Sequence, residues 1–297
     1  MSVKLTIPEE EIMNPGHLAC WGCGATLALR YTLKALGKKT VLVIPACCCT
    51  VIDGPFPYSS YGVPILHCAF EAAASVASGV KNALLMKGDT ETQVVAWAGD
   101  GGTYDIGIQA LSGAAERRED IFYICYDNEA YMNTGIQRSS ATPKGAWTTT
   151  TPYRFPKEDP KKDLFKIMVA HKIPYAATVN VAYPEDFVRK IKKAKEKKGL
   201  KFILVYAPCP TGWKMRPDYT IKVARLAVEC NIFPLIEVED GKWRITIKGK
   251  GKPVEEYIKL QGRFKHWGEK EIKEFQEWVN RNYEELQKYV EMFGKGG

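Results

Sequence analysis

Short, largely apolar runs punctuate the chain at wide intervals. Thr40–Ile44, Gln93–Ala98, Ile121–Tyr126 and Phe202–Ala207 are rich in Val, Ile, Tyr and Phe and show no alternation of polar and apolar positions. Such runs predict strands buried on both faces, as in a parallel sheet. Between them, apolar residues recur at helical spacing over Ala25–Leu36, Ala69–Met86, Asp105–Arg117, Lys161–Ala170 and Pro184–Lys197. This alternation predicts an α/β fold, a parallel sheet with helices on both faces.

The rhythm breaks twice. Arg138–Pro152 is dense in Ser, Thr, Pro and Gly, and a loop that long inside a compact domain is more often functional than idle. After Trp213, Leu235–Val238 and Trp243–Ile247 flank Asp240-Gly241, a hairpin signal. Glu269–Phe293 then sets Ile272, Phe275, Val279, Leu286, Val290 and Phe293 on one helical stripe. The expected division is a main domain over 1–213 and a C-terminal hairpin-plus-helix appendage over 214–297, packed on it and facing other subunits.

Composition adds exclusions. The 297 residues are 45% hydrophobic and 26% charged, which rules out disordered or fibrous classes. No run reaches the roughly 18 apolar residues of a membrane span, and Glu9-Glu10-Glu11 argues against a transit peptide. The expectation is a cytoplasmic protein with no membrane partner. The net charge is +8, but the basic run Lys190–Lys198 alternates with apolar residues and predicts a solvated helix face, not a nucleic-acid site.

Nine cysteines are more telling, because a reducing compartment disfavours structural disulfides and turns clustered cysteines toward metal or redox chemistry. Cys68, Cys125 and Cys230 sit in apolar surroundings and read as small buried hydrophobes. Cys20-Trp21-Gly22-Cys23 is open to three readings: a zinc knuckle, a redox dithiol or half of a cluster site. A second Cys-x-x-Cys, which a zinc ribbon needs, is missing. Cys47-Cys48-Cys49 and Cys209 supply further thiols, each just after a predicted strand. Gly99-Asp100-Gly101-Gly102 and Asp127-Asn128-Glu129 follow the other two strands. All four segments therefore fall at the carboxyl edge of the sheet, where open α/β folds bind ligands.

The glycine segment enters a helix, whose N-terminus suits a phosphate. Asp100 and Asn128 offer a carboxylate and an amide of the kind Mg²⁺ accepts beside diphosphate oxygens. The Gly-x-Gly-x-x-Gly dinucleotide fingerprint fails, since Tyr104 stands where its third glycine belongs.

The span from Gly99-Asp100-Gly101 to Asn128 resembles the thiamine-diphosphate motif, with Glu129 in place of its second Asn. With Pro15–Gly24, Ile44–Cys49, Tyr126–Gly135 and Ala207–Trp213, the whole chain resembles the β subunit of the 2-oxoacid:ferredoxin oxidoreductases, of which pyruvate synthase is one. The resemblance implies thiamine diphosphate, Mg²⁺ and a 4Fe–4S cluster as cofactors. It places the cluster on Cys20, Cys23, Cys48 and Cys209, and Mg²⁺ on Asp100, Asn128 and the carbonyl of Ala130. Ala25, Cys48, Gly99–Gly102, Asn128, Glu129, Ala130, Tyr131, Met132 and Asn133 would line the cofactor, Asn133 reaching toward the reacting carbon. Cys47 and Cys49 receive no role. The implied reaction is oxidative decarboxylation of pyruvate with coenzyme A, electrons passing to ferredoxin. Partners would be α, γ and ferredoxin-like δ subunits, with the cofactor-activating glutamate on another subunit. Alternatives are the same chemistry on branched 2-oxoacids such as 2-oxoisovalerate, and a non-redox decarboxylase with a structural metal.

Overall fold

Eight strands pair edge to edge in one sheet: β1 (Thr40–Pro45), β2 (Ile65–Cys68), β3 (Gln93–Gly99), β4 (Phe122–Asp127), β5 (Tyr175–Asn180), β6 (Lys201–Tyr206), β7 (Leu235–Glu239) and β8 (Lys242–Ile247). The computed structural model describes residues 7–294. Strand order is β2-β1-β3-β4-β6-β5-β7-β8. The first six strands run parallel, and β7 and β8 continue the sheet antiparallel beyond β5. Every residue of β4, β5 and β6 is buried, as a sheet covered on both faces requires. Helices α1 (Gly24–Leu36), α2 (Cys48–Ile52), α3 (Ala73–Met86), α4 (Ile108–Glu116), α5 (Leu164–Ala170), α6 (Pro184–Lys195), α7 (Pro210–Trp213), α8 (Thr220–Glu229), α9 (Glu255–Ile258) and α10 (Glu269–Phe293) complete the α/β fold.

The four strands predicted from apolar runs are β1, β3, β4 and β6, which are neighbours at the centre of the sheet. Two parallel strands escaped the pattern. In β5, Thr178 and Asn180 interrupt the apolar run, yet both are satisfied internally. Thr178 Oγ1 donates to Pro234 O (2.7 Å) and accepts from Ile236 N–H (2.7 Å), while the Asn180 amide donates to Ala224 O (2.8 Å). The edge strand β2 is only four residues long and partly exposed.

Several expectations need correction. The helix expected at 105–117 begins earlier, as a wide π-helical turn over Gly101–Ile106 closed by Gly107 N–H to Gly102 O (2.7 Å). The helix expected from Ala69 begins at Ala73, because β2 and a turn precede it. Lys190 is not on a solvated face: it is fully buried, pairs with Asp186 at 2.7 Å and donates to Thr178 O. Burial brings its amine down to about 8 against the pull of Asp186. Of the α10 stripe, only Val279 and Leu286 are buried, and Phe293 is 49% exposed. Cys125 and Cys230 are buried as expected, whereas Cys68 at the sheet edge is partly exposed. Among the described residues no helix is long and apolar enough to cross a membrane.

Candidate functional site

Two glycines decide how the N-terminal cysteine loop lies. Gly22 has φ +72°, and a Cβ there would stand 2.4 Å from Pro217 O; a Cβ on Gly24 would stand 2.8 Å from Pro208 N and O. Their bareness lets the loop press onto the backbone that carries Cys209. Gly24 N–H donates to Pro208 O (3.1 Å), and Thr220 Oγ1 donates to Gly22 O (2.6 Å). Cys20 is exposed, Cys23, Cys48 and Cys209 are half-buried, and Ala25 is buried in the first turn of α1.

The thiols feel one another. Burial raises the Cys48 thiol, and negative charge on Cys209, Cys47, Cys23 and Asp100 raises it further. Burial pushes Cys209 up to about 12, against the Gly212 N–H that favours its thiolate, with Cys23 and Cys20 adding to the rise. Burial of this kind disfavours the thiolate, whereas a positive centre nearby favours it. Among the described residues, no three His, Cys, Asp or Glu side chains stand close enough to hold a single metal ion. The flanking thiols face elsewhere. Cys49 is fully buried and accepts from Trp97 Nε1–H (3.1 Å). Burial alone would raise Cys47, but hydrogen bonds from Cys49 and Tyr126 bring it to about 7.

One strand along, Asp100 is wholly buried at the end of β3. Its Oδ2 accepts from Ser139 Oγ–H (2.6 Å) and its Oδ1 from Asn128 N–H (3.2 Å). Burial, and then the charge of Asp127, hold its carboxyl well above the usual carboxylate range, against Ser139, Lys161 and the Asn128 N–H. The inward atom of the Asn128 amide stands 2.8 Å from Asp100 Oδ1 and 3.0 Å from Ala130 O. With its nitrogen inward, the amide donates to both oxygens. With its oxygen inward, it completes a cluster of three acceptors of the kind a divalent cation takes.

Glu129, between these two residues, lies in the left-handed region at φ +68°. Its side chain runs into a buried ion network: Glu129 Oε1 meets Lys161 Nζ at 2.9 Å and Oε2 meets Arg263 Nη2 at 2.6 Å. Sequence reasoning had no signal for Lys161 or Arg263, which are far from the motif in the chain. Tyr131 donates its hydroxyl to Asp105 (2.6 Å), and its ring lies where a Cβ on Gly101 would stand, 2.5 Å away. Met132 Sδ would be 2.1 Å from a Cβ on Gly212, so the Met132 loop touches the Cys209 turn. Asn133 is exposed. Within Arg138–Pro152, Ser139 reaches Asp100 and Thr142 Oγ1 donates to Glu129 O (2.7 Å). A cavity of about 980 Å³ opens elsewhere, between α5 and α10; Glu129 and Lys161 line it and Asp100 does not.

Strand ends carry a buried carboxylate, an amide and thiols along one parallel sheet edge, and the domain built on that edge is that of the thiamine-pyrophosphate enzymes. Residues 49–205 match the family model described as thiamine pyrophosphate enzyme, C-terminal TPP binding domain. The chain is 55% identical over 302 residues to ketoisovalerate oxidoreductase subunit VorB of Pyrococcus furiosus, covering 98% of this chain and 97% of that one. It is 52% identical over 286 residues to pyruvate synthase subunit PorB of Methanothermobacter thermautotrophicus, covering 95% and 99%. The solved 2-oxoglutarate:ferredoxin oxidoreductase from Magnetococcus marinus shares the fold, with a TM-score of 0.59 and 21% identity over 71% of this chain and 70% of that one. The chain belongs to the β subunits of the 2-oxoacid:ferredoxin oxidoreductases.

Proposed function

We propose that this subunit carries the thiamine diphosphate of a complex that oxidatively decarboxylates pyruvate with coenzyme A and passes the electrons to ferredoxin. The observation that carries the reading is the convergence of the Asp100 carboxylate, the Ala130 carbonyl and the Asn128 amide, whose inward atom stands 2.8 Å from Asp100 Oδ1 and 3.0 Å from Ala130 O. Octahedral Mg²⁺ with ligands at about 2.0–2.1 Å sets neighbouring ligand oxygens roughly 2.9 Å apart. The donor set fits, and the raised Asp100 carboxyl is the expected condition of a ligand awaiting its cation.

In this reading Asp100, Asn128 and the Ala130 carbonyl hold Mg²⁺, and Gly99–Gly102 leave room for the diphosphate. Bound thiamine diphosphate supplies the carbanion that adds to the 2-oxo carbon and lets CO₂ depart. Cys20, Cys23, Cys48 and Cys209 would hold a 4Fe–4S cluster, which supplies a one-electron acceptor. Ala25, Tyr131 and Met132 wall the cofactor, and Asn133, on an exposed turn, orients the substrate. The segment 214–297 meets partner subunits, expected as α, γ and a ferredoxin-like δ. A second substrate is favoured by the 55% identity to a ketoisovalerate oxidoreductase subunit: a branched 2-oxoacid such as 2-oxoisovalerate.

The test is anaerobic purification of the subunit with its co-expressed partners. About four irons beyond those of any iron–sulfur partner, and one thiamine diphosphate per chain, are expected, with coenzyme A-dependent ferredoxin reduction on a panel of 2-oxoacids. Colourless, zinc-loaded protein that releases aldehyde without coenzyme A would overturn the redox half. Cys209→Ser should lose iron and keep thiamine diphosphate; loss of the cofactor alone would contradict the assignment.

A further inference from the structure

Asn128 and Ala130 can serve one cation only if the chain turns sharply between them. Glu129 makes that turn at φ +68°, a conformation that L residues with a Cβ rarely adopt. Something must hold it. The Glu129 carboxylate bridges Lys161 (2.9 Å) and Arg263 (2.6 Å), and Lys161 also pairs with Asp127 at 2.6 Å. Arg263 is 2% exposed, with its guanidinium 3.9 Å from the centre of the Trp213 ring. It donates through Nε to Gln261 Oε1 (2.9 Å) and through Nη2 to Tyr257 Oη (3.2 Å). Trp213 in turn donates from Nε1 to Asn128 O (2.8 Å). A buried arginine from the C-terminal segment thus grips the turn twice, directly at Glu129 and through Trp213 at Asn128.

We propose that Glu129 and Arg263 are positioning residues that set how tightly the subunit holds its divalent cation, by fixing Asn128 and the Ala130 carbonyl toward Asp100. This rests on the reading of Asp100, Asn128 and Ala130 as cation ligands. Glu129 itself points away from them, which explains how a carboxylate can occupy this place without adding charge to the site. A glutamate reaches Arg263 where an asparagine, which tolerates the same backbone, is a methylene too short.

The experiment measures thiamine diphosphate binding to the purified complex by calorimetry while Mg²⁺ is titrated, with thermal unfolding of each variant alongside. Glu129→Asn keeps a residue suited to positive φ and removes the bridge. Because it strands a buried guanidinium, Glu129→Asn/Arg263→Met is made beside it to restore charge balance. Half-saturating Mg²⁺ should rise about tenfold or more in both, the size expected for groups that orient metal ligands. Arg263→Lys, which keeps the charge, should recover part of it. A folded double variant with unchanged Mg²⁺ dependence would overturn the positioning role. A wild-type complex whose thiamine diphosphate binding ignores Mg²⁺, and does not change in Asp100→Ala, would instead overturn the underlying reading of the site.

Discussion

Two buried carboxylates on the same sheet have opposite fates. Glu237, in β7, is 2% exposed and meets three cations, Arg189 at 2.9 Å, Arg244 at 3.0 Å and Lys193. Burial works against its ionisation, but hydrogen bonds from Lys193 and Arg189 and the charge of Arg189 hold it down at about 2. Asp100, at the end of β3, is fully buried and has no Lys or Arg within ion-pair distance among the described residues. Its carboxyl is driven up instead. A charge whose partners are already in the chain is structural. A charge left without one fits the ligand role proposed for Asp100.

Three experiments press on this contrast. The largest effect is expected from Asp100→Ala, which should weaken Mg²⁺-dependent thiamine diphosphate binding by more than the roughly hundredfold that outer groups command, while iron content stays unchanged. Equal loss of iron and cofactor would mean that Asp100 is structural after all. Next, Glu237→Gln should destabilise the protein by about 2 kcal/mol, between the cost of breaking a buried pair and that of a surface one, without touching cofactor binding. Because the folded pKa lies below the ordinary 4.5, the stability it contributes is complete above about pH 4.5 and fades as pH falls toward 2. Chemical denaturation of wild type and variant across that window should show the difference closing; a constant gap would count against the ion network. The smallest effect belongs to Ser139→Ala, which removes the hydroxyl on Asp100 Oδ2 and should lower Mg²⁺ affinity up to about tenfold, read from the same titration.

How much of this was legible in the residues follows the same division. Strands β1, β3, β4 and β6 announced themselves because a strand covered on both faces is apolar throughout. Strand β5 did not, since Thr178 and Asn180 are made acceptable by groups near 224 and 234–236 that no local window contains. The motif residues Asp100 and Asn128 were visible through their spacing and their places after strands. Ser139, Lys161, Trp213 and Arg263, which hold them, were not. Their roles depend on contacts across 32 to 134 positions of chain (Glu129 to Lys161, and Glu129 to Arg263), and although the loop around Ser139 and the segment ending at Trp213 stood out, nothing local marks what these side chains touch. Glu129 could be seen as a departure from the motif, but its direction could not: that is set by the sign of φ at one residue.

The antiparallel pairing of β7 onto β5 also links the fates of the two halves of the chain. Amides of Tyr175–Ala177 are shielded on that side only while Glu237–Glu239 lie beside them. Stripping away the last eighty or so residues would bare a raw strand border and remove the guanidinium beneath the Glu129 turn in the same stroke. Deuterium uptake in the two strands should accordingly rise together rather than in sequence, marking a single unit of opening.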